Sequence, residues 1–119
     1  MVSLTATENT TLERAADAPM LSQVEKWAAV NSGTGNLAGL KTVAGLLADA
    51  FAALPGEVRL VAADPVESVD SAGTVNIIQR GDHLHVRVRP AAPVQLLLSG
   101  HMDTVVAAGP PFQTLKWLG

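Results

Sequence analysis

The stretch VQLLLSGHMDTV, residues 94–105, decides the fold class of this chain. Its first part, residues 94–100, is apolar on both faces that a strand would present, which is typical of a strand covered on both sides of a sheet. Two helical patterns and three other strand-like runs precede it. Two helices followed by four strands, the last of them doubly buried, predict an α/β protein that forms part of an α/β sandwich.

The helical patterns lie in the first half of the chain. Over residues 19–30, the apolar residues Met20, Val24 and Trp27 recur at helical spacing. A second helix is predicted from residue 36 or 37 to residue 53, because a Pro and a Gly follow at once.

The Gly-rich residues 32–39 have the Gly-x-Gly-x-x-Ala spacing of a dinucleotide-binding turn. That fingerprint requires a strand before the turn, and here a helix precedes it. We therefore interpret the segment as an interhelical turn in which Thr34 or Asn36 caps the second helix.

Three strand-like runs follow the helices, at residues 57–64, 74–80 and 83–90. The last two flank Gly81-Asp82, which predicts a hairpin with a two-residue turn. In the final run, His83 and His85 share one face with two arginines. We predict a solvated outer face rather than a metal site, because the arginines would repel a cation.

Composition limits the classes of function. The 119 residues suit one domain, with 48% hydrophobic residues for its core and a net charge of −3, which argues against nucleic-acid binding. No cysteine is present, so thiolate metal sites are excluded. We expect a flexible leader over residues 1–18, a folded part over residues 19–119, no membrane span and a cytoplasmic location.

A histidine and an aspartate, His101 and Asp103, come directly after the apolar residues 94–100. Ligand sites of open α/β sheets lie just beyond the C-terminal ends of strands. A neutral imidazole is a good zinc ligand, and a nearby carboxylate can fix its tautomer or that of another liganding histidine. The alternative is a capped strand end whose histidine is only hydrogen-bonded.

The motif LLLSGHMDTV, with Pro111 and Phe112 after it, resembles the first metal-site motif of the M20 family of zinc-dependent metallopeptidases and deacylases. Residues 30–40, VNSGTGNLAGL, look like the turn before a long helix in the glutamate carboxypeptidase-like branch. Residues 70–80, DSAGTVNIIQR, resemble a stretch that leads into a strand. The resemblance covers residues 20–119 in the order of the family.

This resemblance implies the N-terminal part of an α/β/α sandwich catalytic domain that holds two zinc ions, with cobalt or manganese as alternatives. It assigns a metal-ligand role to His101 and a catalytic, ligand-orienting role to Asp103. Small peptides or N-acyl amino acids would be the substrates of amide hydrolysis. The remaining metal ligands and the general-base glutamate of the family have no counterpart in residues 1–119, so we expect this part alone to be inactive.

A different class of function remains open, namely a non-catalytic α/β module for interaction or self-association. An apolar strand at residues 94–99 without all its neighbours would expose an edge and an apolar surface. We therefore expect either a homo-oligomer or a chain that lacks the neighbours that would normally cover this surface.

Overall fold

The computed structural model describes residues 3–109 and 114–118. Within these residues it contains the helices α1 (Ala6–Ala16), α2 (Met20–Ala28) and α3 (Leu37–Phe51), and the strands β1 (Gly56–Val61), β2 (Val66–Val69), β3 (Val75–Ile78) and β4 (His83–Val88). Strand β1 pairs with β4, and β2 pairs with β3, in two antiparallel two-stranded sheets. This mixture of helix and strand agrees with the predicted α/β class.

Helix α1 lies within the predicted leader, where the sequence pattern predicted no helix. Its start is a capping box, in which the Glu8 backbone N–H donates to the Thr5 hydroxyl and the Thr5 N–H donates to the Glu8 carboxylate. None of its residues is buried. Local hydrogen bonds and backbone capping, rather than a core, therefore form this helix.

Helices α2 and α3 confirm the predictions for residues 19–30 and 36–53. The side chain of Asn36 accepts a hydrogen bond from the backbone N–H of Gly39 at 3.1 Å, so Asn36 is the cap of α3. The buried apolar residues of the described chain lie on one stripe of α3, at Leu40, Val43 and Ala44. Helix α3 packs on both β1 and β4, so the core lies between this helix and that sheet.

The sheet of β1 and β4 presents two chemically different faces. Val58 is paired with Val86, and Leu60 with Leu84, so these four apolar side chains share one face of the sheet. The alternation predicted for β4 is confirmed, since Leu84, Val86 and Val88 are half-buried while His83, His85 and Arg87 are exposed.

The predicted hairpin between residues 74–80 and 83–90 is wrong, although both runs contain strands. Strand β3 pairs with β2, a strand not predicted, and β4 pairs with β1. The cause is a strong turn between β2 and β3. The carboxylate of Asp70 accepts hydrogen bonds from the N–H groups of Ala72 and Thr74, both at 2.9 Å, and Gly73 takes the left-handed conformation with φ 81°.

The prediction of a buried strand at residues 94–100 is also wrong. These residues form no strand, and the side chains of this run are highly exposed, at 82% for Val94, 83% for Leu96, 88% for Leu97 and 84% for Leu98. A strand needs a neighbour, and the four described strands are paired with one another. The amide of Gln95 instead donates to the carbonyl oxygen of Ala92 at 2.8 Å, in a local turn.

The described fold is open. The Cα radius of gyration is 18.8 Å, against about 13.5 Å for a compact chain of this length. Much of the apolar surface therefore lies outside the core under α3. Among the described residues, none of the helices has the length and apolar character that crossing a membrane requires.

The Asp70 turn makes the β2–β3 hairpin sensitive to acid. Hydrogen bonds from Thr74 and Ala72 lower the pKa of Asp70 from 3.8. A lowered pKa in the folded state means that the stabilisation is present above the unfolded value and is lost as the pH falls through the folded pKa. We expect the amide NMR shifts of Ala72 and Thr74 to titrate with a midpoint below 3.8.

The control for this titration is Asp70→Asn, which keeps an acceptor oxygen but has no ionisable group. In this variant the amide shifts of Ala72 and Thr74 should stay constant over the same acid range. Titration unchanged in Asp70→Asn would show that another group, such as the capping Glu8, causes the effect.

Candidate functional site

The predicted site residues His101 and Asp103 lie together, just before an isolated parallel bridge between Gly33 and Thr104. The His101 Nδ1 atom is 2.8 Å from the carbonyl oxygen of Asp103 and 3.1 Å from its Oδ1 atom. The histidine side chain is 84% exposed and the aspartate side chain 36%. The structure thus brings the two residues into direct contact at the surface.

This contact specifies the state of the imidazole of His101. A carbonyl oxygen and a carboxylate oxygen can only accept, so the ring must donate from Nδ1. A neutral ring protonated at Nδ1 carries its free lone pair on Nε2. The Nε2 atom of this exposed ring is therefore the one that could bind a metal ion or accept a hydrogen bond.

The second carboxylate oxygen of Asp103 binds a residue distant in sequence. The hydroxyl of Thr34 donates to Oδ2 at 2.7 Å, a short distance typical of a hydrogen bond to an ionised acceptor. This hydrogen bond is the main cause of a pKa of Asp103 below its usual value of 3.8. Partial desolvation opposes the shift, and the contact with His101 adds to it. Asp103 is therefore an anion at neutral pH.

Two backbone hydrogen bonds hold Thr34 beside Asp103. The N–H of Thr34 donates to the carbonyl of Thr104 at 3.2 Å, and the N–H of Thr104 donates to the carbonyl of Ser32 at 2.9 Å. Ser32 is buried. The interhelical turn and the segment after Asp103 thus run side by side.

The side chains of Asn31 and Asn36 extend this pairing, and we call their hydrogen bonds the asparagine latch. The Asn31 amide donates to the carbonyls of Val106 at 3.1 Å and Ala107 at 3.2 Å, and its oxygen accepts from the N–H of Gly33. The Asn36 amide donates to the backbone carbonyl oxygen of Asn31 at 3.0 Å and to its side-chain oxygen at 3.1 Å. Because Asn36 also caps α3, the latch connects the site to the helix that carries the core.

A cavity of about 530 Å³ lies next to the pair, lined by residues of both segments, namely Gly33, Thr34, Gly35, Asn36, Thr104, Val105, Ala107 and Ala108. Its walls are mostly small side chains and backbone. The cavity shares Thr34 with the hydrogen bond to Asp103, so it opens beside the candidate site.

The other histidines do not join this site in the structure. His83 and His85 lie on the exposed face of β4 with their ring centroids 6.3 Å apart, as the solvated-face prediction requires. In residues 3–109 and 114–118, no group of three or more His, Cys, Asp or Glu side chains is placed to hold a metal ion. Pro111 and Phe112, which follow the motif in the resemblance described above, lie outside the described residues.

Comparison of the chain with protein-family models, curated proteins and solved structures gives no match. The support for a function is therefore the geometry around His101 together with the sequence motif.

Sequence patterns missed the residues that position Asp103. Thr34 is predicted only as a possible cap of α3, a role that Asn36 fills. No sequence signal singles out Asn31, although the closely spaced Asn, Ser, Thr and Gly residues of the turn are those that bind backbone groups in tight loops.

The close approach of Gly33 to the segment after Asp103 gives a test of this arrangement. A Cβ atom on Gly33 would overlap the carbonyl oxygen of Val106. We expect Gly33→Ala to separate the two segments, to lower the free energy of unfolding by about 1–3 kcal/mol and to release Asp103 from Thr34. Denaturant unfolding and the amide NMR shifts of residues 103–107 would measure this.

Gly35→Ala is the matched control, because nothing lies within 4 Å of a Cβ atom at Gly35. It should leave both stability and the shifts near those of the natural sequence. Equal effects of the two substitutions would contradict the close packing of Gly33 on Val106.

Proposed function

We propose that this chain is the N-terminal part of the catalytic domain of an M20-like metal-dependent hydrolase that cleaves amide bonds in small peptides or N-acyl amino acids. His101 would be one metal ligand, and Asp103 would orient it. The observation that carries the proposal is the contact of His101 Nδ1 with Asp103, which leaves the Nε2 lone pair exposed. This is the arrangement by which a carboxylate orients a metal-binding histidine.

The donor set of the described residues fits one ligand position and does not fit a complete metal site. A catalytic zinc ion takes about three protein ligands, and the described part of the chain gathers no such group. This chain would thus supply one ligand and its orienting carboxylate, and residues other than 1–119 would supply the other ligands of the two-zinc site, or of a cobalt or manganese site. We expect residues 1–119 alone to be inactive.

The α/β/α sandwich belongs to the same proposal. In a complete catalytic domain, the exposed apolar residues 94–98 would become the inner strand that their sequence predicts, because further strands and helices would cover both of its faces. His101 would then lie just beyond the C-terminal end of that strand, where α/β sheets bind their ligands. We place such an enzyme in the cytoplasm.

Metal selectivity among the three histidines tests the ligand assignment. We expect addition of Zn²⁺ to the ¹⁵N-labelled chain to perturb the His101 Nε2 resonance at a lower concentration than those of His83 and His85. Two arginines, Arg87 and Arg59, share the face of those two residues with one carboxylate, that of Glu57, so the charge there is net positive. The variant His83→Ala/His85→Ala should keep the Zn²⁺-induced shift of His101. Perturbation of His83 or His85 at a lower Zn²⁺ concentration than His101 would contradict the assignment.

Activity is tested on the polypeptide encoded by the full open reading frame, with a panel of N-acyl amino acids and dipeptides. We expect metal-dependent hydrolysis, a loss of about 10- to 100-fold in Asp103→Asn, and a larger loss in His101→Ala. Hydrolysis that is independent of metal, or unchanged in His101→Ala, would contradict the proposal.

A second candidate function is self-association without catalysis, and the exposed run at residues 94–98 favours it. Four large apolar side chains there are more than four-fifths exposed, and contiguous apolar surface of this kind marks interaction sites. An extended apolar segment can pair with the same segment of a second copy of the chain.

Sedimentation measurements over a wide concentration range test the self-association. We expect the chain to associate and Leu97→Lys to shift it to monomer, because a buried ammonium group opposes packing. Leu12→Lys, at an exposed leucine of α1, is the control and should still associate. A monomer at all concentrations would contradict this function, while association without selective metal binding at His101 would favour it over the hydrolase.

A further inference from the structure

We propose that Thr34 is a positioning residue, whose hydroxyl holds the Asp103 carboxylate in the orientation that keeps the His101 lone pair on the exposed Nε2 atom. The inference rests on the proposed function, and it adds a residue from the interhelical turn to the site. The two oxygens of the Asp103 carboxylate contact residues that are far apart in the sequence.

The two carboxylate oxygens have separate partners. Oδ1 lies 3.1 Å from His101 Nδ1, which the backbone carbonyl oxygen of Asp103 also contacts at 2.8 Å, and Oδ2 accepts from the Thr34 hydroxyl at 2.7 Å. A carboxylate held at one oxygen only can rotate about its side-chain bonds, whereas contacts at both oxygens fix its plane. Thr34 therefore limits the orientations in which Asp103 can meet the imidazole.

The Thr34 hydroxyl has one hydrogen and two possible acceptors. The carbonyl oxygen of Thr104 lies 3.4 Å away, at the outer limit for a hydrogen bond, while the carboxylate is much closer and charged. The hydroxyl thus donates to Asp103. The backbone N–H of Thr34 already donates to that Thr104 carbonyl, so the residue is fixed from its main chain as well.

The asparagine latch keeps Thr34 in register with Asp103. Asn31 is bound to the carbonyls of Val106 and Ala107, on the far side of the bridge between Gly33 and Thr104. Sliding of one segment along the other would break these hydrogen bonds together. The partner of Thr34 is consequently set by a network and not by one flexible contact.

The test compares Thr34→Val, which keeps the shape of the side chain but lacks the hydroxyl, with Thr34→Ser, which keeps the hydroxyl. Long-range ¹H–¹⁵N NMR of the His101 ring at about pH 8, where imidazoles are ordinarily neutral, reports which nitrogen is protonated. We expect the natural chain and Thr34→Ser to be mainly protonated at Nδ1. In Thr34→Val the fraction protonated at Nε2 should rise, although the Asp103 backbone carbonyl, 2.8 Å from Nδ1, still favours protonation at Nδ1.

Two further variants show whether Thr34 acts through Asp103. Thr42→Val removes a hydroxyl that binds the Ala38 carbonyl within α3, and it should leave the His101 ring unchanged. Asp103→Asn should shift the tautomer by itself, and Thr34→Val added to it should cause no further shift. An unchanged ring in Thr34→Val, or a failure of Thr34→Ser to restore the natural spectrum, would overturn the inference.

Zn²⁺ addition to the same variants separates this inference from the proposed function. We expect the apparent affinity of His101 for Zn²⁺ to fall in Thr34→Val by roughly 2-fold, in proportion to the loss of rings that present the lone pair on Nε2. A tautomer shift without selective Zn²⁺ binding at His101 would contradict the metal role alone. Selective binding with an unshifted tautomer in Thr34→Val would contradict the role of Thr34 alone.

Discussion

The asparagine latch is the contact on which the site depends. Asn31 and Asn36 bind each other, and Asn31 binds carbonyl groups 75 and 76 residues further along the chain. Closing so long a loop costs conformational entropy that grows slowly with its length. Several partly buried hydrogen bonds, each contributing about 1 kcal/mol, offset that cost. Without them, the hydrogen bonds of Ser32 and Thr34 with Asp103 and Thr104 would have to hold His101 and Asp103 against the interhelical turn.

The latch also connects the site to the small core. Asn36 ends the turn and begins α3, whose residues Leu40, Val43 and Ala44 are the buried apolar side chains of the described chain. The polar contacts of the turn and the apolar contacts of the helix therefore support each other. The ring of His101 itself remains in solvent, held by short-range contacts with one neighbour.

Features set by local periodicity could be predicted from the sequence. The spacing of Met20, Val24 and Trp27 located α2, and the alternation around His85 located β4 together with its exposed face. The contact between His101 and Asp103 could also be predicted from the sequence, because residues two apart in the chain can touch without contacts from the rest of the fold. The capping box of Thr5 and Glu8 was present in the sequence as well, but the polar composition of the leader obscured it.

Features set by distant contacts could not be predicted in the same way. Strand pairing depended on the turn around Asp70, whose carboxylate binds two backbone N–H groups, rather than on the more obvious Gly81-Asp82. Burial of residues 94–100 would require neighbouring strands or helices, and the apolar pattern of the sequence does not show whether these are present. The contact of Thr34 with Asp103 spans 69 residues, and no local pattern links the two positions.

The two paired segments, the interhelical turn and the residues after Asp103, contribute different kinds of groups to their hydrogen bonds. On the side of the turn the pairing uses the side chain of Asn31 together with main-chain groups of Ser32 and Thr34, but after Asp103 it uses only main-chain groups of residues 104, 106 and 107. Every amino acid carries a backbone carbonyl, and only proline lacks the N–H that residue 104 donates. Side chains at residues 105–107 can therefore be substituted without loss of these hydrogen bonds. The shape of the adjacent cavity can then change while the two segments stay paired.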